Sequence, residues 1–207
     1  ENFGYIIPQG SVMSSLGNTY KIASLSNCIV VPEMHDSYGG VFYTDQQLAQ
    51  LFKRRCGVGV DISNLRPSGS QVSNAAGTTS GAVSFMKRFS HTTREVAQNG
   101  RRGALMLSMD IAHPDIAAFT TIKQDLSQVT GANISIRLSD EFMSAVEKNK
   151  EYTHRWPINS DNPKFTKTVN ARELWGTIIK CAHNTAEPGL IYWDRQHWYS
   201  TSSVYPG

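Results

Sequence analysis

The sequence predicts an α/β protein with a largely parallel sheet or barrel. Apolar segments of strand length alternate with amphipathic segments of helix length along the whole chain. Hydrophobic residues make up 40% of the 207 residues, which is enough for a sizeable core. Neither an internal repeat nor a low-complexity segment interrupts the alternation. A chain of this length fits one domain, or part of one.

Five segments have the composition of buried strands. Ser24–Val31 ends in apolar β-branched residues and stops at Pro32, and Cys56–Ile62 is entered through glycines. Asn133–Leu138 alternates polar and apolar side chains. The other two predicted strands are Gly103–Met109 and Gly189–Trp193.

Helical segments separate these strands. In Asp45–Arg55, three apolar residues follow the spacing i, i+3, i+4, and Thr44 or Asp45 is a suitable N-cap. Gly81–Gln98 is the clearest helix, because its apolar residues form one stripe and Asn99-Gly100 follows it. Three further helices are predicted at His113–Phe119, Phe142–Lys148 and Ala171–His183.

Three polar segments connect these elements. Arg66–Thr79 is rich in Ser, Gly and Asn, and a loop of this length inside a compact chain is uncommon unless it has a function. Lys123–Gly131 is a second polar loop. Asn149–Lys167 contains two prolines and is predicted to be an excursion or a hairpin.

Composition and charge exclude several classes. The formal net charge is only +3 and the basic residues are scattered, which argues against a nucleic-acid partner. No apolar run approaches the roughly 20 residues that cross a membrane, and no signal-peptide pattern is visible. The three cysteines are odd in number and widely spaced, which favours a cytoplasmic chain over a disulfide scaffold. Without an H-x-x-x-H or C-x-x-C pattern, we expect no metal site.

Three short motifs carry the candidate chemistry. Ser26-Asn27-Cys28 sets a thiol on a predicted strand, where it is a redox group or, more commonly, a buried core cysteine. Cys56-Gly57-Val58-Gly59 lets the backbone approach a ligand closely, or forms a tight turn. Asn99-Gly100-Arg101-Arg102-Gly103 offers two arginines to a phosphate or carboxylate, or is a surface turn. The chain contains no Ser-His-Asp signature, P-loop or H-E-x-x-H motif.

These motifs belong to a longer ordered series. The series is Ser26-Asn27-Cys28, Cys56-Gly57-Val58-Gly59-Val60-Asp61, Leu65-Arg66-Pro67, Gly69-Ser70, Ser80-Gly81, Gly100-Arg101-Arg102-Gly103-Ala104-Leu105-Met106, His113-Pro114-Asp115-Ile116, Asn133-Ile134-Ser135, Asp140-Glu141-Phe142-Met143 and Glu187-Pro188-Gly189-Leu190-Ile191. In this order it resembles the large catalytic subunit of ribonucleotide reductase, over nearly the whole chain and most weakly between Asn149 and Lys167. The segment from Gly100 to Met106 is more similar to the adenosylcobalamin-dependent (class II) branch than to branches with a separate radical subunit.

The resemblance implies a fold and a catalytic role. Residues 1–207 would form the first half of a ten-stranded α/β barrel, including the effector loops and the dimerisation helices. Cys28 would be one of two cysteines that reduce a ribonucleotide to a deoxyribonucleotide by forming a disulfide, and Asn27 would hydrogen-bond the substrate ribose or phosphate. Cys56 and Gly57 would pack against the ribose, although a cysteine at position 56 departs from the small residue that is usual there.

The resemblance also implies an allosteric effector, a dNTP or ATP. Asp36 and Ser37 would bind its deoxyribose, and Arg66 would meet its phosphate. Lys123 and Gln124 belong to a second loop that would relay the identity of the effector to the substrate base. The two specificity loops would be Ser68–Asn74 and Lys123–Ala132.

Partners follow from the same resemblance. The Asn-Pro-Cys-Gly-Glu run that carries the family's radical cysteine does not occur here, so we expect the remainder of the catalytic subunit as a partner, on a longer or a separate polypeptide. The other implied partners are the ribonucleotide substrate, a second copy bound through helices 45–55 and 81–98, adenosylcobalamin or a separate radical subunit, and thioredoxin or glutaredoxin as reductant. Two other functions stay open: a non-catalytic nucleotide-binding remnant or partner subunit of a split enzyme, and a free thiol oxidoreductase, which the lack of C-x-x-C disfavours.

Overall fold

Five parallel strands form the central sheet of the protein, in the order β1-β2-β3-β4-β7. The computed structural model describes residues 4–96 and 103–201. The strands are β1 (Cys28–Val30), β2 (Gly57–Asp61), β3 (Ala104–Asp110), β4 (Ala132–Leu138), β5 (Glu151–Trp156), β6 (Phe165–Asn170) and β7 (Gly189–Tyr192). The helices are α1 (Gly10–Ser15), α2 (Tyr38–Phe52), α3 (Ala82–Glu95), α4 (Ile116–Thr121), α5 (Asp140–Glu147), α6 (Ala171–Thr185) and α7 (Trp193–Tyr199). Parallel strands joined through helices confirm the α/β prediction.

The two faces of this sheet differ sharply in side-chain size. One face carries the aliphatic core, and α2, α3 and α4 pack against it. Its buried strand residues include Val58, Val60, Leu105, Leu107, Met109, Ile134 and Ile136. On the other face, Cys28, Gly57 and Ala104 form one row across the strands, and Val30, Gly59, Met106 and Asn133 form the next. Val30 is 78% exposed and Met106 38%, so the described residues leave this end of the face uncovered.

Helix α2 begins at Tyr38, seven residues before the predicted start at Asp45. The Ser37 hydroxyl is the N-cap and accepts a hydrogen bond from the Gly40 amide at 3.0 Å. Gly40 is required here, because a Cβ at that position would overlap the His35 carbonyl oxygen. Glycines are poor helix formers, so this first turn could not be predicted from propensity.

Other boundaries shift less, and two helices are additional. The segment Asn149–Lys167 contains β5 and the start of β6, which pair as an antiparallel hairpin. Of the two predicted alternatives, an excursion or a hairpin, the hairpin is therefore the one observed. Helix α3 ends at Glu95 rather than Gln98, and α1 and α7 were not predicted. The predicted helix end at Asn99-Gly100 lies outside the described residues. None of the helices within the described ranges is long and apolar enough to span a membrane.

An ion pair between a buried carboxylate and a half-exposed arginine joins α2 to α3. The Asp45 carboxylate is only 9% exposed, and its Oδ2 lies 2.8 Å from Arg88 Nη2. Its Oδ1 accepts a hydrogen bond from the Thr92 hydroxyl at 2.6 Å. The Arg88 guanidinium also lies over the Phe42 ring, 4.5 Å from its centre. These contacts fix the two helices that the sequence predicts to form a dimer interface.

The β5–β6 hairpin packs against the turn that follows β3. The Arg155 amide donates to the Ala112 carbonyl at 2.7 Å, and His154 Nδ1 lies 3.0 Å from the Ile111 carbonyl oxygen. His154 is 2% exposed, and its ring meets the Tyr152 ring edge-on. Burial lowers the pKa of His154 to about 4, so this imidazole is neutral at pH 7 and donates from Nδ1.

We predict that His154 makes the fold sensitive to mild acid. Because the folded pKa lies below the ordinary value of 6.5, the unfolded chain takes up the proton first, and stability is lost as the pH falls from about 6.5 to 4. A shift of this size corresponds to about 3 kcal/mol at pH 4. In His154→Asn, whose amide can still donate to Ile111, urea denaturation should show a correspondingly smaller loss between pH 7 and 4.

The exposed His183 on α6 provides the matched control. His183→Asn should lose stability with falling pH as the parent does. Equal pH dependence in the parent and in His154→Asn would contradict the assignment.

Candidate functional site

The first candidate site is the row of residues around Cys28. The β1–β2 register pairs Cys28 with Gly57, and the Gly57 amide donates to the Asn27 carbonyl oxygen at 2.7 Å. A Cβ at position 57 would lie 3.5 Å from Cys28 Sγ and 3.4 Å from Asn27 O. Because glycine has no Cβ, the exposed Cys28 thiol is open on this side. The structure thus brings together Asn27, Cys28 and Gly57, three of the residues predicted to act on a substrate.

A groove of about 510 Å³ runs over this part of the sheet. Cys28, Gly59 and Met106 contribute to its floor, and Arg94 and Asn133 also line it. This volume is within the usual range for small-molecule sites. The groove therefore joins one exposed thiol to an apolar surface with a few polar groups at its edge.

A second, more polar cavity of about 490 Å³ shares Cys28 with the groove. Ser11, Ser14 and Arg55 line it together with Asn27. The Asn27 side chain ties the N-terminal segment to β1, because its Oδ1 accepts from the Ser11 amide at 3.2 Å and also from the Ser11 hydroxyl. Its Nδ2 donates to Gln9 Oε1 at 2.9 Å. Hydroxyl groups beside an arginine suit a ribose or an anion, and Ser11, Ser14 and Arg55 could not be singled out from the sequence because no motif connects them.

Cys56 lies on the other side of the sheet. It is one residue before Gly57, so it shares the parity of Val58, and it is 1% exposed within the hydrophobic core. It borders the second cavity, yet its thiol is buried while that of Cys28 is exposed. Cys181 on α6 is also buried, and burial raises the pKa of its thiol. Cys28 is therefore the one exposed thiol among the cysteines, all of which the structure describes.

The second candidate site contains Asp36, Ser37 and Arg66. The Arg66 amide donates to Asp36 Oδ1 at 3.1 Å, and Arg66 Nε donates to Oδ2 at 2.7 Å. All three residues line a cavity of about 540 Å³, whose walls include Tyr38 and Phe85. These two aromatic rings meet edge-on, with centres 6.1 Å apart. The structure therefore unites the predicted acidic and basic positions and adds aromatic side chains that the sequence did not mark.

The loop after Arg66 forms the outer wall of this cavity. It folds into a small hairpin, in which the Gly69 amide donates to Thr79 O and the Thr79 amide donates to Ser70 O, both at 3.0 Å. Arg66 Nη1 donates to the Gln71 carbonyl oxygen at 3.1 Å and so holds the hairpin from inside. The long polar loop predicted at 66–79 is thus an ordered wall and not a solvated linker.

Lys123 and Gln124 do not meet that cavity. Lys123 is 9% exposed, and its Nζ lies 3.0 Å from Glu187 Oε2. The other Glu187 oxygen accepts from the Ile134 amide of β4 at 2.8 Å. Gln124 contacts α6, where its Oε1 accepts from Asn184 Nδ2 at 3.2 Å. Both side chains anchor the start of the predicted second loop to the scaffold, and their contact with an effector stays a prediction.

A charged cluster at the carboxyl ends of three neighbouring strands was not predicted. Arg137 Nε lies 3.2 Å from Asp61 Oδ2, and Arg137 Nη2 lies 3.4 Å from Asp110 Oδ2. The guanidinium is 4.7 Å from the centre of the Trp193 ring, which covers it. Burial raises the pKa of Asp110. The sequence shows only that each of these strands, β2, β3 and β4, has one charged residue near its carboxyl end, which does not by itself predict that the three charges meet.

Two further points concern the predicted chemistry. Gly100, Arg101 and Arg102 lie outside the described residues. Among the residues within the described ranges, no group of three or more His, Cys, Asp or Glu side chains could hold a metal ion.

Comparison with known proteins gives one consistent family. Residues 26–203 match the family described as ribonucleotide reductase, barrel domain. The chain is 38% identical over 172 residues to the vitamin B12-dependent ribonucleoside-diphosphate reductase of Mycobacterium tuberculosis, covering 82% of the chain and 24% of that protein. It is 37% identical over 190 residues to the protein of the same name from Thermoplasma acidophilum, and this match covers 91% of the chain and 24% of that protein. It is 29% identical over 195 residues to the ribonucleoside-diphosphate reductase large chain of Neurospora crassa, covering 82% and 21%. The chain therefore spans about a quarter of the length of these relatives.

We predict that the three cysteines differ strongly in reactivity. In the folded chain, iodoacetamide should modify Cys28 about a hundredfold faster than Cys56 or Cys181, because buried thiols react only after local opening. Peptide mass spectrometry after timed labelling measures the three rates. Labelling in urea, where all three should react alike, serves as the control. Modification of Cys56 as fast as Cys28 would contradict the described burial.

Proposed function

The chain belongs to the ribonucleotide reductase barrel-domain family, and from this premise we propose that it takes part in reducing ribonucleotides to deoxyribonucleotides. In this proposal it supplies one reducing cysteine, Cys28, and a binding site for a nucleotide effector. The observation that carries the proposal is the exposed Cys28 thiol beside the bare backbone of Gly57, on the open face of the sheet. Residues 1–207 would be the first half of the barrel, and the remainder of the catalytic subunit would cover the open face, since parallel sheets are usually covered on both faces.

The chemistry needs two thiols. Replacing the ribose 2′-hydroxyl by hydrogen requires two electrons and two protons, which two cysteines provide when they form a disulfide while the hydroxyl leaves as water. Cys28 is accessible for this reaction, whereas Cys56 and Cys181 are buried. The second thiol therefore comes from outside these three, and thioredoxin or glutaredoxin would restore the dithiol.

The serine-lined cavity next to Cys28 supports binding of the substrate ribose and phosphate. Asn27 Oδ1 and Nδ2 bond Ser11 and Gln9 and hold the serine segment against β1, and the predicted hydrogen bond from Asn27 to the substrate would share or replace these contacts. Ser14 and Arg55 line the same cavity and are suited to an anionic group. Gly57 would let the ribose approach the thiol, while Cys56 would contribute through its backbone only.

The names of two of the relatives suggest vitamin B12 as the cofactor, and in the form of adenosylcobalamin it would supply the radical that starts the reaction. The described residues do not fit it by themselves: a groove of about 510 Å³ is small for a corrinoid, and no histidine lines it. A site for this cofactor would therefore need residues beyond those that line the groove.

The cavity of Asp36 and Arg66 supports an effector site for a dNTP or ATP. The Asp36 carboxylate keeps free lone pairs for a ribose hydroxyl, Arg66 can attract phosphate, and Tyr38 and Phe85 offer apolar contact to a base or sugar. Lys123 and Gln124 would act at the base of the second loop, through their contacts with Glu187 and Asn184.

Dimerisation would use the neighbouring helix surface. Tyr38, Phe42 and Tyr43 on α2 are 60%, 50% and 62% exposed, and exposed aromatic clusters mark interaction surfaces. This patch adjoins the effector cavity through Tyr38, which fits an effector that binds where two copies meet.

The second candidate function is a non-catalytic nucleotide-binding subunit, which the effector cavity would support without Cys28.

Replacing Cys28 separates the two functions. In the complete reductase that carries this chain, Cys28→Ser should lower deoxyribonucleotide formation by about a hundredfold or more, because one of the two electron donors is gone. Cys181→Ser, which removes a buried thiol, should retain activity. Both variants should bind effector as the parent does. Full activity in Cys28→Ser would favour the non-catalytic function.

Replacing Phe42 tests the dimer surface. Phe42→Asp should shift the chain towards monomer in sedimentation velocity, because it removes a half-exposed aromatic ring from the patch and puts a charged side chain in its place. Trp198→Asp on α7, where the indole is 82% exposed, serves as the control and should leave the mass unchanged. A dimer of unchanged strength in Phe42→Asp would place the interface elsewhere.

A further inference from the structure

The turn His113–Asp115, between β3 and α4, contacts the loop of the effector cavity at both of its ends. The loop runs from Arg66 to Gly81, leaving Leu65 and entering α3 at Ala82. None of the three turn residues lines the cavity itself. The turn could therefore affect a bound ligand only through the loop, and not by touching the ligand itself.

Asp115 holds two points of the loop with one carboxylate. Both of its oxygens lie 3.1 Å from the Ser68 amide, and Oδ2 also accepts from the Ala82 amide at 3.1 Å. Ala82 is the first residue of α3, whose N-cap is Gly81 and therefore provides no capping side chain. Asp115 supplies this cap from another part of the chain, and its negative charge lies at the positive end of the helix.

His113 contacts the chain just before the loop begins. It is fully buried, with Nε2 at 2.8 Å from the Leu65 carbonyl oxygen. Its Nδ1 accepts from the Asp115 amide at 3.0 Å, which puts the ring proton on Nε2. The histidine thus connects Leu65, just before Arg66, to the residue that holds Ser68 and Ala82.

Gly81 shows that this arrangement depends on close approach. Its φ is +88°, and a Cβ there would lie 2.5 Å from Asp115 Oδ2 and 2.6 Å from the Ser68 amide nitrogen. Any other residue would push the carboxylate out of its position between the loop and the helix. The position of the Asp115 carboxylate therefore depends on a glycine at position 81.

We propose that Asp115 is a positioning residue for effector binding, which holds the loop 66–81 in its binding shape before a nucleotide arrives. This inference rests on the proposed effector function of the cavity. A polar loop that is ordered in advance loses less conformational freedom when the ligand binds, so the carboxylate raises affinity without touching the ligand. Without it, a bound nucleotide has to order the loop itself, and the saturated state stays the same while the dissociation constant rises.

The test compares Asp115→Asn with the parent in the full chain. Equilibrium dialysis against dATP, dTTP, dGTP and ATP should give a dissociation constant about tenfold higher for the variant, the change expected when one charge-assisted hydrogen bond has to be replaced. Hydrogen exchange should be faster at the Ser68 and Ala82 amides without nucleotide. With saturating nucleotide, exchange should return towards the parent's, which a merely destabilised fold would not do.

Asp194→Asn is the matched control. Asp194 Oδ2 accepts at 2.7 Å from the Asp140 amide, the first amide of α5, as Asp115 Oδ2 accepts from the first amide of α3, and it lies far from this loop in the sequence. It should lose similar thermal stability and keep the parent's dissociation constants. Arg66→Ala, which removes a residue of the cavity, should weaken binding through direct contact.

The outcomes separate this inference from the function on which it rests. A parent that binds none of the four nucleotides would overturn the proposed effector site. A parent that binds, with Arg66→Ala weakened and Asp115→Asn unchanged, would overturn the positioning role alone. An Asp115→Asn variant whose exchange stays fast at saturation would also overturn it, because the loss would then be one of folding.

Discussion

The twofold alternation of side chains along the parallel strands is the constraint on which the rest of the structure depends. One parity places Val58, Leu105 and Ile134 in the core beneath the helices. The other places Cys28 and Gly57 side by side on the open face. A slip of one residue in β2 would turn Val58 towards the open face beside Cys28 and Gly57 towards the core, so it would remove core volume and cover the thiol at the same time. Stability and chemistry are therefore encoded by the same register.

Two kinds of contact then fix the surroundings of the sheet. Buried charges join helices that the chain connects only through long segments, as Asp45 does between α2 and α3. Carboxylates that accept backbone amides fix the loops, since Glu187 attaches the segment between α6 and β7 to β4 and Asp36 holds the start of the 66–81 loop. In each case the acceptor lies on a regular element or directly beside one. The irregular parts of the protein thus inherit their shape from the sheet and its helices.

Much of the fold could be predicted from the sequence, because most strands and helices show the hydrophobic periodicity of their type. The pairing of Cys28 with Gly57 could not, since register depends on contacts between distant segments. The family resemblance predicts that Asp36 and Arg66 share one site, but it does not predict the aromatic walls of Tyr38 and Phe85. The start of α2 was hidden by Gly39 and Gly40, whose low helix propensity is overridden by the Ser37 cap. The nearly buried ion pair of Lys123 with Glu187 could not be predicted either, because the two residues are far apart in the sequence.

Because Cys28 and Cys56 face opposite sides of the sheet, oxidation of one thiol has little access to the other. The two residues are near each other at the edge of the sheet, yet one sulfur lies in the core and the other is exposed. A sulfenic acid formed on Cys28 cannot condense with Cys56 unless the sheet opens. The buried Cys56 thiol is thus separated from the exposed Cys28 thiol, so oxidation of Cys28 does not lead to a disulfide between these two residues in the folded chain.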